Sequence, residues 1–250
     1  MQIIAILNRK GGVGKTATVH ALGAALMQRK KKVLFIDADG QSNLTLSLNA
    51  REDAKGLSDV FHEKCTIKEA IQKTEGGYII PGNEELQTLD VTLVVEKKAN
   101  YLKQALKDLD NMFDYCIIDT PAALGMITIN CLAAADKVII PAQADIYSVQ
   151  GLNRLLGTIQ DLKTLKGIDV NVSGVLLTRF NPRTVISKQL SEDLEGLTRH
   201  YKTKVFKARI PECNAIREAA MMQEDIFSYA PGSKAAEEYM NFVNEFLKTK

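Results

Sequence analysis

A glycine-rich segment close to the amino terminus has the residue types of a phosphate-binding loop. It reads Lys10-Gly11-Gly12-Val13-Gly14-Lys15-Thr16 and continues into Ala17. Glycine accepts positive φ and leaves backbone N–H groups uncovered, so three glycines within four residues let the backbone fold closely around an anion. A helix that starts near Lys15 would add its amino-terminal N–H groups, the Lys15 ammonium would face the β- and γ-phosphates, and the Thr16 hydroxyl would ligate Mg²⁺. The segment therefore predicts a nucleoside triphosphate and magnesium site over residues 10 to 17.

Aspartates close two further apolar runs, and carboxylates at such positions can serve a phosphate site. Asp37 and Asp39 follow the run that starts at Val33, and Asp119 ends the run that starts at Tyr115. Because alternate residues of an extended segment point to opposite faces, we expect Asp37 and Asp39 to have different roles. A buried carboxylate at Asp119 can hold Mg²⁺ through water, with Asp37 as a second candidate for the metal. Simple loop capping by Asp37 and Asp39 stays open as the alternative.

Short apolar runs alternate with helix-length patterns along the chain. Most runs are continuously apolar, as in parallel strands that are buried on both faces. The predicted strands are Ile3–Leu7, Val33–Asp37, Tyr78–Ile80, Leu89–Val95, Tyr115–Asp119, Lys137–Ile140, Val172–Thr178 and Val205–Ile210. The predicted helices lie near Lys15–Gln28, Asn100–Leu109, Leu124–Ala134, Val149–Leu165, Thr184–His200 and Ala235–Leu247. This order predicts an α/β fold, with a doubly wound, mostly parallel sheet, helices on both faces, and ligands at the carboxyl ends of the strands, in one domain over residues 1–250.

Composition argues against several classes of protein and site. The formal net charge is only +2, so any surface for nucleic acid must be local. The four cysteines include no C-x-x-C pair, which argues against a zinc or cluster site and favours a reducing compartment. No run approaches the roughly 20 apolar residues of a membrane span, and no signal peptide is recognisable, so we expect a cytoplasmic protein. The isolated histidines are expected to be structural or surface residues: His20, His62 and His200.

The loop resembles one particular variant of the phosphate-binding motif. The common pattern G-x-x-x-x-G-K-[ST] fails at its first position, which is Arg9, and an extra lysine, Lys10, opens the loop. The form K-G-G-x-G-K-T resembles the deviant Walker A motif of the ParA/MinD superfamily of ATPases. The resemblance implies ATP and Mg²⁺ as ligands, slow hydrolysis of ATP, and an ATP-dependent homodimer in which Lys10 reaches the partner's nucleotide, much like an arginine finger. From the residues alone, Lys10 could also be a contact within one chain, beside the catalytic Lys15.

Segments farther along the chain resemble the same superfamily. Residues 37–43 are similar to its D-x-D-P-Q-G-N switch segment, with Gly40 where proline is usual and Ser42 where glycine is usual. The resemblance gives Asp39 the catalytic role of positioning the attacking water. It also identifies the run ending at Asp119 as a Walker B motif.

Further matches concern the base site and the type of family member. Ala122 stands where the family usually has the second proline after Walker B. In the family, the segment that corresponds to Ile210-Pro211-Glu212-Cys213 lines the adenine, so Pro211 and Cys213 are implied neighbours of the base or ribose. The chain opens directly with its first strand and resembles the short ParA/Soj type, for which no separate amino-terminal helix-turn-helix domain is expected.

A local excess of basic residues is consistent with a nucleic-acid partner. Residues 179–209 contain eight lysines and arginines against three acids, and neutralising phosphates is sufficient for binding that ignores sequence. By resemblance, Arg183 corresponds to a family arginine that contacts DNA, and Arg217 lies two residues beyond the position of a second. Lys204 and Lys207 complete the predicted DNA-binding set. The implied partners are non-specific double-stranded DNA and a ParB-like centromere-binding adaptor that stimulates hydrolysis.

Two other functions stay open at this point. One is a nucleotide-gated regulatory switch that recruits a protein and has little affinity for DNA. The other is a MinD-like positioning ATPase on a membrane. The last predicted helix, Ala235–Leu247, is amphipathic but acidic, which favours packing in the core over contact with anionic lipid.

Overall fold

The computed structural model describes residues 1–95, 99–182 and 185–248, and an eight-stranded sheet runs through them. The strands are β1 Gln2–Ile6, β2 Val33–Asp37, β3 Gln72–Thr74, β4 Gly77–Ile80, β5 Tyr115–Asp119, β6 Lys137–Gln143, β7 Asn171–Phe180 and β8 Val205–Pro211. Their order across the sheet is β3-β4-β2-β5-β1-β6-β7-β8. The hairpin β3–β4 is antiparallel, and the other described pairings are parallel. The mostly parallel sheet that the sequence predicts is confirmed.

Helices cover both faces of this sheet. Over the described residues they are α1 Lys15–Gln28, α2 Asn43–Ser47, α3 Leu57–Phe61, α4 Leu86–Val95, α5 Tyr101–Leu106, α6 Met126–Ala134, α7 Ile146–Lys166, α8 Val185–His200, α9 Asn214–Met221, α10 Ile226–Tyr229 and α11 Lys234–Leu247. Successive side chains of β1 enter different cores, as the pleat of a strand requires. Ile4 and Ile6 belong to a core shared with α1 and α11, whereas Ile3 and Ala5 belong to a core shared with α4, α5, α6 and α7. This is the doubly wound arrangement.

One predicted strand is wrong, because Leu89–Val95 lies in helix α4. Its short apolar run suggested a strand, but three leucines decide the conformation. Leu86, Leu89 and Leu93 are at most 1% exposed, and their spacing of three and four residues puts them on one face of a helix. That face packs against α6, so tertiary burial overrides local β-propensity.

Several short elements were also missed by the sequence prediction. They are β3, α2, α3, α9 and α10, each of eight residues or fewer. Two of them border the predicted ligand site, since α2 follows the segment of Asp39 and α9 follows β8. Elements this short contain too few residues for a periodic pattern to emerge.

The carboxyl ends of the parallel strands bring the predicted site residues together. β1 lies between β5 and β6, and the glycine-rich loop leaves its end towards α1. In the pairing of β2 with β5, Asp37 lies opposite Asp119, so the two buried carboxylates are direct neighbours. The site predicted at this edge of the sheet therefore draws on segments more than 100 residues apart in the chain.

Candidate active site

The glycine-rich loop is an open cradle between β1 and α1. Gly12 and Gly14 have φ angles of 72° and 85°, in the region that favours glycine. A Cβ built on Gly11 or Gly12 would meet nothing within 4 Å, so the inner face of the loop is open space rather than packed protein. Gly14 is the N-cap of α1, and the free N–H groups at the start of that helix therefore lie beside the opening.

Hydrogen bonds to β6 and β7 anchor the loop. The Thr178 hydroxyl donates to the Val13 carbonyl at 2.7 Å. Asn8 donates from Nδ2 to the Pro141 carbonyl at 2.6 Å and accepts from the Lys10 N–H at 2.9 Å. Sequence reasoning missed the contacts to Thr178 and Pro141, because they join residues more than 130 positions apart that no local motif connects.

Lys15, Thr16 and Asp119 meet at the inner end of the loop. Lys15 is the first residue of α1 and is only 8% exposed. The Thr16 hydroxyl donates to Asp119 Oδ2 at 2.6 Å. The other oxygen of the carboxylate, Oδ1, is buried and has no hydrogen-bond partner among the described residues. A buried oxygen of this kind needs a partner, and a hydrated cation beside Thr16 would provide one.

Ionisation of Asp119 is unfavourable in the protein without a bound ligand. Burial, reinforced by the nearby Asp37 charge, raises the pKa of Asp119 to about 8, while the Thr16 hydrogen bond and the Lys15 ammonium oppose that rise. A bound divalent cation would favour the ionised carboxylate, as any opposite charge does. The residues present therefore fit a magnesium ion, with Thr16 and Asp119 as the groups that would hold it.

Asp37 has different surroundings, although it lies beside Asp119. Its Oδ2 accepts from both the N–H and the hydroxyl of Thr45, each at 2.8 Å, and its Oδ1 accepts from the Asp39 N–H at 3.2 Å. Burial raises the pKa of Asp37 to about 6 in spite of these bonds. Both oxygens thus have partners from the chain itself, which disfavours Asp37 as the second candidate for the metal.

Asp39 lies on the wall of the same cavity as the loop. It is partly exposed, and its Oδ1 accepts from the Gln41 N–H at 3.1 Å. The next residues of the segment lead into α2, which also borders the cavity. A carboxylate at this place can accept a proton or orient a water that approaches a phosphate from outside the loop.

Lys10 is bound to its own chain. Its Nζ donates to Gln143 Oε1 at 3.1 Å and forms an ion pair with Asp145. Asp145 is also the N-cap of α7, where it accepts from the Ser148 N–H at 3.0 Å. Burial works against ionisation of this carboxyl, but the hydrogen bonds from Lys10 and Ser148 hold the pKa of Asp145 below its usual value.

A cavity of about 790 Å³ extends from the loop past the carboxyl ends of β7 and β8. Its size is in the range of small-molecule and cofactor sites. Ala17, Pro211 and Cys213 line it together with the loop residues. At its rim, the Arg179 Nε donates to Glu212 Oε1 at 3.1 Å, an ion pair that the sequence analysis did not foresee.

The described members of the predicted DNA-binding set lie on or beside β8 and on α9. Arg217 is exposed on α9, at the rim of the cavity. Lys204 precedes β8 and is paired with Glu245 at 3.2 Å, and Lys207 is exposed on β8 itself. A strand rises about 3.3 Å per residue, so Lys204 lies about 20 Å from the end of β8 at which α9 begins. Arg183 lies outside the described residues.

Similarity to known proteins extends over nearly the whole chain. A family model described as an AAA domain matches residues 1–172, which include the loop, Asp39 and Asp119. The chain is 35% identical to the sporulation initiation inhibitor protein Soj of Bacillus subtilis, over 98% of this chain and 97% of that protein. It is 34% identical to the chromosome partitioning protein ParA of Myxococcus xanthus, over 99% of this chain and 88% of that protein. The solved structure of the septum site-determining protein MinD of Pyrococcus horikoshii, complexed with Mg-ADP, superposes with a TM-score of 0.79 at 25% identity, over 99% of this chain and 96% of that one.

Proposed function

We propose that this chain, which belongs to the ParA/MinD superfamily of P-loop ATPases, is a ParA-type ATPase that segregates or positions DNA. Two chains close around two ATP molecules, and the dimer binds double-stranded DNA without sequence preference. Slow hydrolysis then releases the DNA, and a ParB-like adaptor accelerates that step. In this proposal the protein is cytoplasmic and associates with the nucleoid when ATP is bound.

The observation that carries the proposal is the open loop with a lysine at each end and a buried carboxylate behind it. Lys15 lies at the amino terminus of α1, where it can neutralise the β- and γ-phosphates of ATP. Thr16 and Asp119 would hold Mg²⁺, which supplies positive charge to the phosphates when bound. Asp39, on the cavity wall, would orient the attacking water.

The proposed role of Lys10 requires it to leave its present partners. In the single chain its ammonium is occupied by Gln143 and Asp145. On closure of two chains, the same ammonium would neutralise the phosphates of the partner's nucleotide. Lys10→Ala should therefore still bind ATP but remain monomeric in analytical ultracentrifugation with ATP and Mg²⁺. A normal ATP-dependent dimer would contradict the role in trans.

The position of α11 favours DNA over a membrane as the surface to which the protein binds. Tyr239, Phe242, Val243 and Phe246 are at most 1% exposed, so the apolar face of this helix is used in the core against β8 and α1. Lipid could reach these side chains only if the helix left its place. Among the described helices, none has both the length and the apolar character that crossing a membrane requires.

Retention of random-sequence duplex DNA tests the proposal. We expect binding with ATP and Mg²⁺, loss of binding for Lys15→Ala, and a steep decrease in affinity with salt. Arg183→Glu and Arg217→Glu should weaken binding to every sequence to a similar extent. Lys68→Glu is a matched charge reversal, because Lys68 is exposed near β3, at the opposite edge of the sheet from β8. If ATP makes no difference to DNA retention, a nucleotide-gated protein switch replaces the partition function.

A further inference from the structure

The segment that carries Asp39 has two local turn bonds, from the Ser42 N–H to the Asp39 carbonyl at 3.0 Å and from the Gln41 N–H to Asp39 Oδ1 at 3.1 Å, but two of its residues oppose its shape. Gly40 lacks a Cβ, and glycine loses more conformational freedom on folding than any other residue. Ser42 has a φ of 54°, a left-handed conformation that is unfavourable for a residue with a Cβ. Such conformations persist only where the surroundings impose them. Contacts from outside the segment must therefore add to these turn bonds to hold it.

A chain of buried hydrogen bonds grips the segment from its inner side. The Thr45 hydroxyl donates to Asp37 Oδ2 at 2.8 Å and accepts from the Gly82 N–H at 3.0 Å. The same carboxylate accepts from the N–H groups of Thr45 and Asp39, at 2.8 and 3.2 Å. Thr45 and Asp37 are fully buried. We call Asp37, Thr45 and Gly82 the Thr45 clamp.

A second contact grips the segment from the side of α4. Gln87 Nε2 donates to the Gly40 carbonyl at 3.2 Å. A Cβ on Gly40 would lie 2.6 Å from Gln87 Cγ, and one on Gly82 would lie 2.7 Å from the Asp37 carbonyl oxygen. A larger side chain at Gly82 would therefore require the backbone to shift, and one at Gly40 would displace the Gln87 side chain. The segment is held between the Thr45 clamp and α4.

The geometry points to Thr45 as a positioning residue for ATP hydrolysis, whose hydroxyl keeps residues 38–44 in the shape that places Asp39 on the cavity wall. The inference rests on the proposed function, since it takes Asp39 as the group that orients water. A hydroxyl is required because one group must donate to Asp37 while it accepts from Gly82. Valine has the same shape and can do neither. Serine can do both.

Steady-state hydrolysis by Thr45→Val and Thr45→Ser tests the inference. A displacement of about 1 Å at a reacting group costs up to about 100-fold in rate, so we expect kcat of Thr45→Val to fall about 10–100-fold. ATP affinity should change by less than about threefold, because the phosphate cradle is built by another segment. Thr45→Ser should recover most of the lost rate. Thr198→Val is the matched control, since Thr198 is also buried, on α8, and within the described part of the chain its hydroxyl donates to a carbonyl of its own helix.

A double-mutant cycle with Ser42→Gly separates positioning from general destabilisation. Glycine accepts the left-handed conformation that Ser42 is forced to adopt, so the segment needs less external restraint in that background. We expect the loss of kcat caused by Thr45→Val to be smaller in Ser42→Gly than in the wild type. A merely structural role would give equal losses in the two backgrounds.

The outcomes of the test are distinct. If the wild type hydrolyses ATP, Asp39→Ala abolishes that activity and Thr45→Val keeps a normal kcat, the clamp has no positioning role. A loss in Thr45→Val that serine does not recover also overturns the inference. If Asp39→Ala hydrolyses ATP normally, the proposed role of Asp39 is wrong, whatever the result for Thr45→Val.

Discussion

The neighbouring strands β2 and β5 end in aspartates that lie opposite each other, and the protein surrounds the two carboxylates differently. Asp37 accepts hydrogen bonds from Thr45 and from the backbone of Asp39. Asp119 accepts one from Thr16, and its second oxygen has no partner among the described residues. Hydrogen bonds from the chain thus satisfy both oxygens of Asp37, whereas one oxygen of Asp119 is left available to a ligand. In the proposed function, Asp37 would maintain the shape of the site and Asp119 would serve its chemistry.

The largest expected effect comes from Asp119→Asn. An amide of the same size cannot provide the negative charge that holds a hydrated Mg²⁺, so we expect hydrolysis to fall by at least about 100-fold. Near neutral pH the nucleotide-free protein should unfold at the same or a higher temperature, because the wild type can bury Asp119 only by keeping it protonated far above its usual pKa of 3.8, and an amide avoids that cost. Phosphate release and thermal unfolding measure the two effects. Hydrolysis within about tenfold of the wild type would show that Asp119 does not serve the metal.

Asp37→Asn should affect stability more than hydrolysis, the opposite of Asp119→Asn. The amide presents an NH₂ group to one of the surrounding donors and leaves a buried N–H or hydroxyl unsatisfied, which costs about 1–3 kcal/mol of unfolding free energy. Urea unfolding of this variant, with Asp119→Asn measured beside it, checks the prediction. The assignment of a structural role to Asp37 would not survive if Asp119→Asn proved the less stable of the two.

The pH dependence of stability sharpens the same comparison. Asp119 has a pKa of about 8 in the folded protein against a usual value of 3.8, so the folded state binds more protons than the unfolded state between these values. The stability of the nucleotide-free protein should therefore fall as the pH rises through this window, from about pH 5 to about pH 8 in a practical experiment. Asp119→Asn should flatten this decline. Equal slopes for the two proteins would contradict the unfavourable charge of Asp119.

The smallest effect is expected for Thr16→Ser. Serine keeps the hydroxyl that donates to Asp119 and loses only a methyl group, so hydrolysis should stay within about threefold of the wild type. Thr16→Val keeps the shape and removes the hydroxyl, and it should lose most of the activity. Similar rates for the serine and valine variants would mean that the Thr16 hydroxyl has no part in the site.

The parts of the site that are encoded locally could be predicted from the sequence. The loop needs glycine where φ is positive and a helix directly after it, and both requirements are visible in residues 10 to 28. The predicted bounds of α1, Lys15–Gln28, agree with the structure. The buried carboxylates at Asp37 and Asp119 could also be placed, because continuous apolar runs mark parallel strands and such strands end at a common edge.

The contacts that complete the site could not be predicted, because they join segments that are distant in the sequence. Nothing local links Lys10 to Asp145, or Thr45 to Gly82. The Leu89–Val95 segment was misassigned for a related reason, since its conformation is set by the core that its leucines enter rather than by the short apolar run alone. The departures at Gly40 and Ser42 could be seen in the sequence, but the clamp that holds them is visible only in the fold.

Calorimetric titration of ATP into the protein, with and without Mg²⁺, tests the central claim most directly. We predict that the wild type binds ATP and that Mg²⁺ strengthens the binding, whereas Asp119→Asn gains little from the metal. Absence of ATP binding, or an equal gain from Mg²⁺ in both proteins, would contradict the assignment of this edge of the sheet as the nucleotide and metal site.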